Sequence, residues 1–507
     1  MSEVINNKRV LKNTAALYIR MGIMMIITLY TSRVVLQNLG VVDFGIYNIV
    51  GGVVVMFSFL SITLEVAVRR FLTVELGKGG ENYQQVFLSS LYAIAIVAVI
   101  LIICVETIGS WLVNYKLTIP SERLTAANWA FQFSILTFLI SFLTIPFSAS
   151  ITAHERMDAY AYFGIIDALL RLGIAFLIQK TIWDKLVLYA GLITLSALII
   201  SSLNISFCFL RLGLSLNCKL TDKSYIRSIL SFSGWSVMGQ VVNLLSTQGI
   251  NLMFNMFWGV VVNAAMGVSQ QASTALSRFI YNFQIAFSPQ LTKSYTVSGL
   301  SSETFIFISR ISKVVVLLIF VIGYSLLCNI DELLELWLVE VPKYAQGFCR
   351  IAITVAAIEG CAGPLYILVY AKGDVVKYQI SLAIVQISYI ILTYILCRMD
   401  YSPVVVYSLT VVSYAVAYFV RLFLLRSIME FPIIRYLKLV FMPLLVPLIC
   451  LLLFKALINW LIIFDSLIWT TIVRVVLEAL FSVAIMYFIY FTNEEKRYAL
   501  DMIKKRV

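Results

Sequence analysis

Long apolar runs of about 20 residues or more recur along the whole chain, separated by short polar links. Each run is long enough to cross the roughly 30 Å hydrocarbon core of a bilayer as one α-helix, and none alternates regularly as a barrel strand does. Only 13% of the residues are charged, against about a quarter in a soluble domain. We therefore predict an all-α polytopic membrane protein with about 14 transmembrane helices. The runs, numbered as spans one to fourteen, cover residues 13–37, 43–68, 86–113, 124–153, 159–180, 186–210, 228–257, 260–288, 305–330, 345–371, 375–397, 402–425, 436–462 and 467–491.

Basic residues gather at both termini and on alternate links, and they produce the net charge of +12. Cytoplasmic links carry such an excess, so both termini are predicted to be cytoplasmic, and nucleic-acid binding is not indicated. The first span follows MSEVINNKRVLK and is too long for a cleaved signal peptide. With one histidine and no Cys-x-x-Cys motif among eight cysteines, the chain is predicted to hold no metal and no cofactor.

The chain also repeats itself at a shift of about 219 residues. Gly40-Val41-Val42 aligns with Gly259-Val260-Val261, and Leu72-Thr73 aligns with Leu291-Thr292. An even number of spans in each repeat makes the repeats parallel, as in transporters that bind substrate between two halves and alternate their access. We predict pseudo-symmetric six-helix lobes at 1–215 and 216–430, followed by two extra helices and a cytoplasmic tail at 431–507.

Several charged residues lie inside the apolar runs, where an arginine costs roughly 2.5–3.5 kcal/mol at the centre of a span. Arg20 and Arg33 lie in span one, which has no acidic residue. Each either extends to the interface or faces a wet cavity and binds an anion. Asp167 with Arg171, and Arg474 with Glu478, are each four residues apart, so we predict two structural ion pairs on single helices.

Spans seven and eight are rich in amides and contain no Asp or Glu. Such amides either join helices to one another or form a polar wall suited to sugars. Arg278, further along span eight, has no acidic neighbour at helical spacing and is predicted to contact an anion. The amides are Gln240, Asn243, Gln248, Asn251, Asn255, Asn263, Gln270 and Gln271.

Glu359 lies in the middle of span ten, beside Gly360, Gly363 and Pro364, which are expected to loosen or kink the helix. Three roles stay open for this carboxylate: a proton site, a partner of an arginine, or part of a gate. It is our candidate for coupling transport to H⁺ or Na⁺. The membrane potential is a second source of drive.

The LGxxxFGxY stretch at Leu39–Tyr47, the basic N-terminus, the repeat and the two added spans resemble the Wzx-type O-antigen and capsule polysaccharide exporters of the MOP superfamily. Relatives of these exporters include MATE drug exporters and MurJ-type lipid II flippases. The resemblance implies two lobes around a cationic cavity in the bacterial plasma (inner) membrane. It also implies a flippase, not an enzyme, which moves undecaprenyl-pyrophosphate-linked oligosaccharides to the outer leaflet. Arg20 or Arg33, and Arg278, correspond by position to cavity arginines of such proteins.

In lipopolysaccharide or capsule synthesis, a protein of this kind is expected to act as a monomer and to associate with a polysaccharide polymerase and a chain-length regulator. Three other functions compete with this one. A lipid II flippase is a near relative, whereas a MATE-like cation-coupled drug antiporter would need membrane carboxylates that spans one, seven and eight lack. A membrane polymerase or glycosyltransferase would need catalytic residues on a large outer loop, and every outer link here is short.

Overall fold

The apolar runs fold as helices, as their length predicts. The structure is a computed structural model and describes residues 7–77, 81–154, 156–215, 224–231, 244–372, 375–462 and 466–497. Within these ranges the regular elements are helices, without β-strands. They form two compact units: Met24–Ala265, called the first unit, and Met266–Val507 with Met1–Ile23, called the second unit.

The first unit contains most of α1 and the helices that follow it. Its helices are α1 (Asn7–Val55), α2 (Ser58–Gly77), α3 (Tyr83–Cys104), α4 (Leu124–Leu143), α5 (Ile145–Ala153), α6 (Met157–Leu177), α7 (Lys185–Arg211), α8 (224–231), α9 (Ile250–Trp258) and the start of α10 (Val260–Ser298). Helix α4 packs on α7, and α2 packs on α5. Phe87, Phe131 and Phe142 are completely buried in this unit. Because lipid tails are as apolar as these side chains, close packing holds the helices together.

Two glycines break the helices in the same way. Gly40, inside α1, has φ 76° and ψ 169°, and Gly259, between α9 and α10, has φ 77° and ψ −172°. Only glycine adopts this region of φ/ψ space without strain. These are the two glycines that the sequence repeat aligns, so the repeat is visible in the backbone as well as in the sequence.

The second unit contains the rest of α10 and nine further helices. These are α11 (Ser302–Leu318), α12 (Ser325–Cys328), α13 (Ile330–Trp337), α14 (Ala345–Lys372), α15 (Val375–Arg398), α16 (Pro403–Met429), α17 (Ile433–Val440), α18 (Leu445–Leu461) and α19 (Leu467–Ile485). Helix α16 packs on both α14 and α15. The core of this unit includes Phe305, Tyr378 and Tyr436.

Ten helices of the described ranges are long and apolar enough to cross a membrane. The all-helical, multi-spanning fold is therefore confirmed, and the count of fourteen stays a prediction. Helix α2 is not among the ten and carries four charged residues within 20 positions. Helix α10 is also not one of the ten, because amides and hydroxyls replace apolar residues along its first half. The predicted lobe boundaries stay predictions too, although α9 and the start of α10 belong to the first unit.

Candidate functional site

The helices that begin after Gly40 and Gly259 meet in the first unit. A Cβ atom at Gly45 would overlap the backbone carbonyl of Val260 and would lie 3.4 Å from the backbone nitrogen of Ala264. Positions 45 and 264 are aligned by the repeat. This glycine contact therefore brings together two positions that the sequence repeat aligns.

Three of the predicted sugar-binding amides form a chain of hydrogen bonds beside the glycine contact. Asn263 Nδ2 donates to Asn251 Oδ1 at 2.7 Å, and Asn255 Nδ2 donates to Asn263 Oδ1 at 2.7 Å. Asn255 Oδ1 in turn accepts the backbone N–H of Thr118 at 2.8 Å. Asn255 and Asn263 are completely buried. This amide chain thus uses its polar groups within the protein, as in the helix-joining alternative that the sequence left open.

The other predicted amides are placed differently. Gln248 is half-buried, and a Cβ atom at Gly52 would lie 3.1 Å from its Oε1 atom. Gln240 and Asn243 lie outside the described residues. Gln270 is exposed, whereas Gln271 is half-buried and its Oε1 atom is buried without a hydrogen bond from any described residue.

Arg123, which the sequence analysis did not single out, connects α1 to the start of α7 in the first unit. Arg123 binds Asp43 through Nε at 2.8 Å and Nη2 at 2.6 Å, and it binds Asp184 through Nη1 at 2.6 Å. Burial tends to raise the pKa of Asp184, but hydrogen bonds from Arg123 and from the backbone N–H groups of Val187 and Leu186 lower it below its usual value. Asp43 lies inside the LGxxxFGxY stretch, and this was the sequence signal available.

Helix α10 presents a polar face in the second unit. Gln270, Ser277, Arg278 and Tyr281 are all exposed along it. No described residue forms an ion pair or a hydrogen bond with the Arg278 guanidinium. This face of α10 therefore carries an exposed cation beside neutral polar groups.

Glu359 and Arg421 face each other from α14 and α16. Glu359 Oε1 lies 3.5 Å from Arg421 Nη2, and 51% of the glutamate side chain is exposed against 14% of the arginine. The structure thus brings Glu359 to an arginine, one of its three predicted roles. The arginine is thus the more buried member of the pair.

The two arginines of span one lie in α1. Arg33 is half-buried and interacts with neighbouring groups. It lies seven residues before Gly40, about 10 Å along the helix axis. Arg20 lies in the helical part of α1, but its side chain is outside what the structure describes. The structure therefore assigns neither arginine to a cavity.

The two predicted ion pairs have different outcomes. Asp167 and Arg171 do pair, with Arg171 Nε 2.9 Å from Asp167 Oδ2. The predicted pair of Arg474 with Glu478 is wrong. Glu478 is completely buried and binds Lys455 at 2.9 Å, whereas Arg474 donates to the Ile462 carbonyl at 2.8 Å.

Arg474 and Glu478 do not pair because each one interacts with a different group nearby. Ile462 follows the end of α18, where backbone carbonyls lack an intrahelical donor, and Arg474 supplies one. Glu478 has no exposure at all, and a buried carboxylate needs several hydrogen bonds. Asn329 donates a hydrogen bond to Glu478 Oε2 at 2.7 Å, and Lys455 forms an ion pair with Glu478 Oε1 at 2.9 Å.

Comparison with solved structures places this fold among membrane transporters. The lipid II flippase MurJ in an inward closed conformation superposes with a TM-score of 0.68 at 15% identity, covering 93% of this chain and 98% of MurJ. An inward-facing multidrug resistance MATE family transporter of the MOP superfamily gives 0.63 at 12% identity, covering 82% and 99%. The MATE multidrug transporter DinF-BH gives 0.59 at 18% identity, covering 85% and 97%. The chain thus shares the fold of these three transporters.

Comparison of sequences is less informative. The chain is 20% identical over 272 residues to the uncharacterized membrane protein EpsK of Bacillus subtilis (strain 168), a match that covers 53% of this chain. The matched part spans about half of EpsK, 54% of its length. Among models of known protein families, none matches this chain.

Proposed function

We propose that this protein is a flippase for undecaprenyl-pyrophosphate-linked oligosaccharides in the bacterial plasma membrane. The observation that carries the proposal is Arg278, an exposed guanidinium on the polar face of α10, the predicted span eight, without a partner among the described residues. A guanidinium fork matches the oxygens of a phosphate, and two parallel hydrogen bonds hold it there. In a transporter fold, such a group suits the passage of an anionic head across the bilayer.

The proposed orientation follows from the basic residues. With both termini in the cytoplasm, the Gly40 end of α1 lies at the outer surface. The glycine contact, the amide chain and the Arg123 cluster then lie together at the outer side of the first unit. We assign this packing to a closed outer gate, which separates when the site opens outward during alternating access.

The sugar part of the substrate needs neutral hydrogen-bonding groups. Gln270 and Ser277 share the exposed face of α10 with Arg278, and we assign them to sugar contact. The amide chain contributes to the gate instead, since its groups are already bonded. A phosphate contact of Arg20 or Arg33 stays a prediction from the sequence.

Coupling to an ion is assigned to Glu359. Its carboxylate is half-exposed beside Arg421, so binding of H⁺ or Na⁺ would compete with the arginine. Replacing Glu359 with Gln should weaken the dependence of flipping on pH or on Na⁺. An unchanged dependence on both would remove Glu359 from this role.

A flipping assay in liposomes tests the phosphate contact. Arg278→Ala should reduce the rate about 10-fold or more, since a hydrogen bond to a charged group contributes roughly 1.5–3 kcal/mol. Arg278→Lys should retain part of the rate, because it keeps the charge but loses the fork. The matched control is Arg350→Ala, which removes an exposed arginine paired with Asp331 at 2.5 Å and should leave the rate unchanged. A wild-type rate for Arg278→Ala would contradict the proposal.

The same preparation separates the alternatives. A lipid II flippase shares the pyrophosphate chemistry, and rescue of peptidoglycan synthesis in cells lacking their own lipid II flippase would favour it. An enzyme would change the length of the glycan, whereas a flippase changes only its leaflet. A cation antiporter would transport cationic drugs faster after Arg278→Ala, because the variant removes a repelling charge.

A further inference from the structure

An apolar groove opens on the second unit, away from the polar face of α10. Its volume is about 660 Å³, and its walls include Ile358 and Cys361 of α14, Tyr418 and Phe419 of α16, and Leu445 of α18. Volumes of roughly 300–1,000 Å³ are typical of pockets that hold a small organic ligand. Every one of these wall residues is apolar or aromatic, so the groove suits a hydrocarbon chain.

The residues described as lining this groove include one basic side chain, Lys438. Lys438 belongs to α17, and its side chain is exposed. No described residue gives it an ion pair or a hydrogen bond. Arg435, three residues earlier, is different because its guanidinium lies 5.1 Å from the centre of the Phe305 ring. Among the described residues that line the groove, Lys438 is thus the cation without a partner.

Helix α17 begins one of the candidate membrane spans, Ile433–Leu461. It buries Tyr436 and Val440 and exposes Arg435 and Lys438 on the other side. Basic residues near the end of a membrane span lie at the boundary between headgroups and acyl chains, where anionic lipids attract them. In the proposed orientation, this boundary is that of the cytoplasmic leaflet.

We propose that the groove binds one anionic glycerophospholipid of the cytoplasmic leaflet, with an acyl chain against Tyr418 and Phe419 and the phosphate at Lys438. The charge of Lys438 complements the phosphate, and the apolar walls complement the chain. This site is distinct from that proposed for the transported substrate, since the arginine assigned to pyrophosphate, Arg278, does not line the groove.

The groove is connected to the candidate coupling pair. Ile358 precedes Glu359 on α14, and Phe419 lies two residues before Arg421 on α16. A bound lipid would therefore pack against the two helices that hold the Glu359–Arg421 pair.

Native mass spectrometry of the purified full chain tests the site, with phosphatidylglycerol and phosphatidylcholine as probes. The wild type should bind phosphatidylglycerol more tightly than phosphatidylcholine. Lys438→Gln should weaken phosphatidylglycerol about 5-fold, the effect of one basic residue at a lipid surface, and should leave phosphatidylcholine unchanged. The matched control is Arg435→Gln, on the same helix, which should change either affinity by less than about 2-fold.

A second variant tests the walls of the groove. Ala415→Phe places a ring in the groove and should weaken both lipids while the melting temperature stays near that of the wild type. Equal weakening of phosphatidylglycerol by Lys438→Gln and Arg435→Gln would overturn the site in favour of general surface charge. Displacement of phosphatidylglycerol by undecaprenyl phosphate, lost in Ala415→Phe, would overturn it in favour of the substrate's own tail. Because binding is measured without transport, these results are independent of the flippase proposal.

Discussion

At the scale of single residues, glycines set how closely the helices of the first unit approach. Gly45 leaves no room for a Cβ atom against the Val260 carbonyl, and backbone carbonyls do not move aside as side chains do. Gly51, in the same helix, has no atom within 4 Å of the position that a Cβ would take. The two glycines therefore have different reasons to be present, although both lie in α1.

We predict that Gly45→Ala destabilises the protein by about 1–3 kcal/mol, the usual cost of overpacking. The extra methyl group must push α10 away from α1 at the glycine contact. Unfolding in detergent, followed by circular dichroism, measures the change. Gly51→Ala is the control and should be neutral or stabilising by roughly 0.5–1 kcal/mol, because alanine favours the helix. Equal destabilisation by both substitutions would show that the contact is not tight.

At the scale of elements, α14 is bridged to α10 at its proline. Pro364 has no N–H group, so the Gly360 carbonyl, four residues earlier, loses its helical donor. Gln284 of α10 replaces that donor, with Nε2 2.8 Å from the Gly360 oxygen. A Cβ atom at Gly363 would overlap the Gln284 side chain. The two glycines and the proline of span ten thus form a notch that fits one glutamine.

This arrangement predicts energetic coupling between Gln284 and Pro364. Gln284→Leu should cost about 1–3 kcal/mol, because it leaves a buried carbonyl without a donor. After Pro364→Ala the backbone N–H of residue 364 can bond to Gly360, so Gln284→Leu should then cost about 1 kcal/mol less. A double-mutant cycle on the free energy of unfolding measures the difference. Strictly additive effects would contradict the bridge.

The added helices α18 and α19 are fastened by a buried polar cluster. Lys455 of α18 binds Glu478 of α19 at 2.9 Å. Asn329, between α12 and α13, accepts from Lys455 at 2.6 Å and donates to Glu478 at 2.7 Å. Each group has a partner, which is what makes buried charge tolerable. The cluster therefore joins the two added helices to the rest of the second unit.

Removing one member of this cluster should be costly. Lys455→Met leaves Glu478 buried without its cation and should destabilise the protein by about 3–5 kcal/mol. Adding Glu478→Gln should recover part of that loss, because a neutral amide still accepts the hydrogen bond from Asn329. For comparison, Arg171→Met breaks the half-exposed pair with Asp167 and should cost at most about 1 kcal/mol. Thermal unfolding in detergent compares the three variants.

At the scale of the whole molecule, periodic features were predictable and partner choices were not. Run length gave the helices, and the shift of 219 residues anticipated the matching conformations of Gly40 and Gly259. The four-residue spacing of Arg474 and Glu478 permits an ion pair on one helix face. Spacing alone, however, identifies only which side chains are near each other along the helix. Groups from other helices competed for both, and only the three-dimensional packing decides that competition.

The electrical character of transport gives a last prediction, because a carrier that returns to its starting state moves only the net charge of its cargo. Each negative charge that leaves an interior at negative potential releases about 2.3 kcal/mol per 100 mV. In liposomes with a potassium diffusion potential, the labelled substrate should accumulate in the leaflet on the positive side. For each net charge that crosses, the ratio of labelled substrate between the two leaflets should change about tenfold for every 60 mV of potential. Reversing the potential should reverse which leaflet holds the excess. An even distribution at every potential would mean that a cation accompanies the head group, and electroneutral symport would replace potential-driven export.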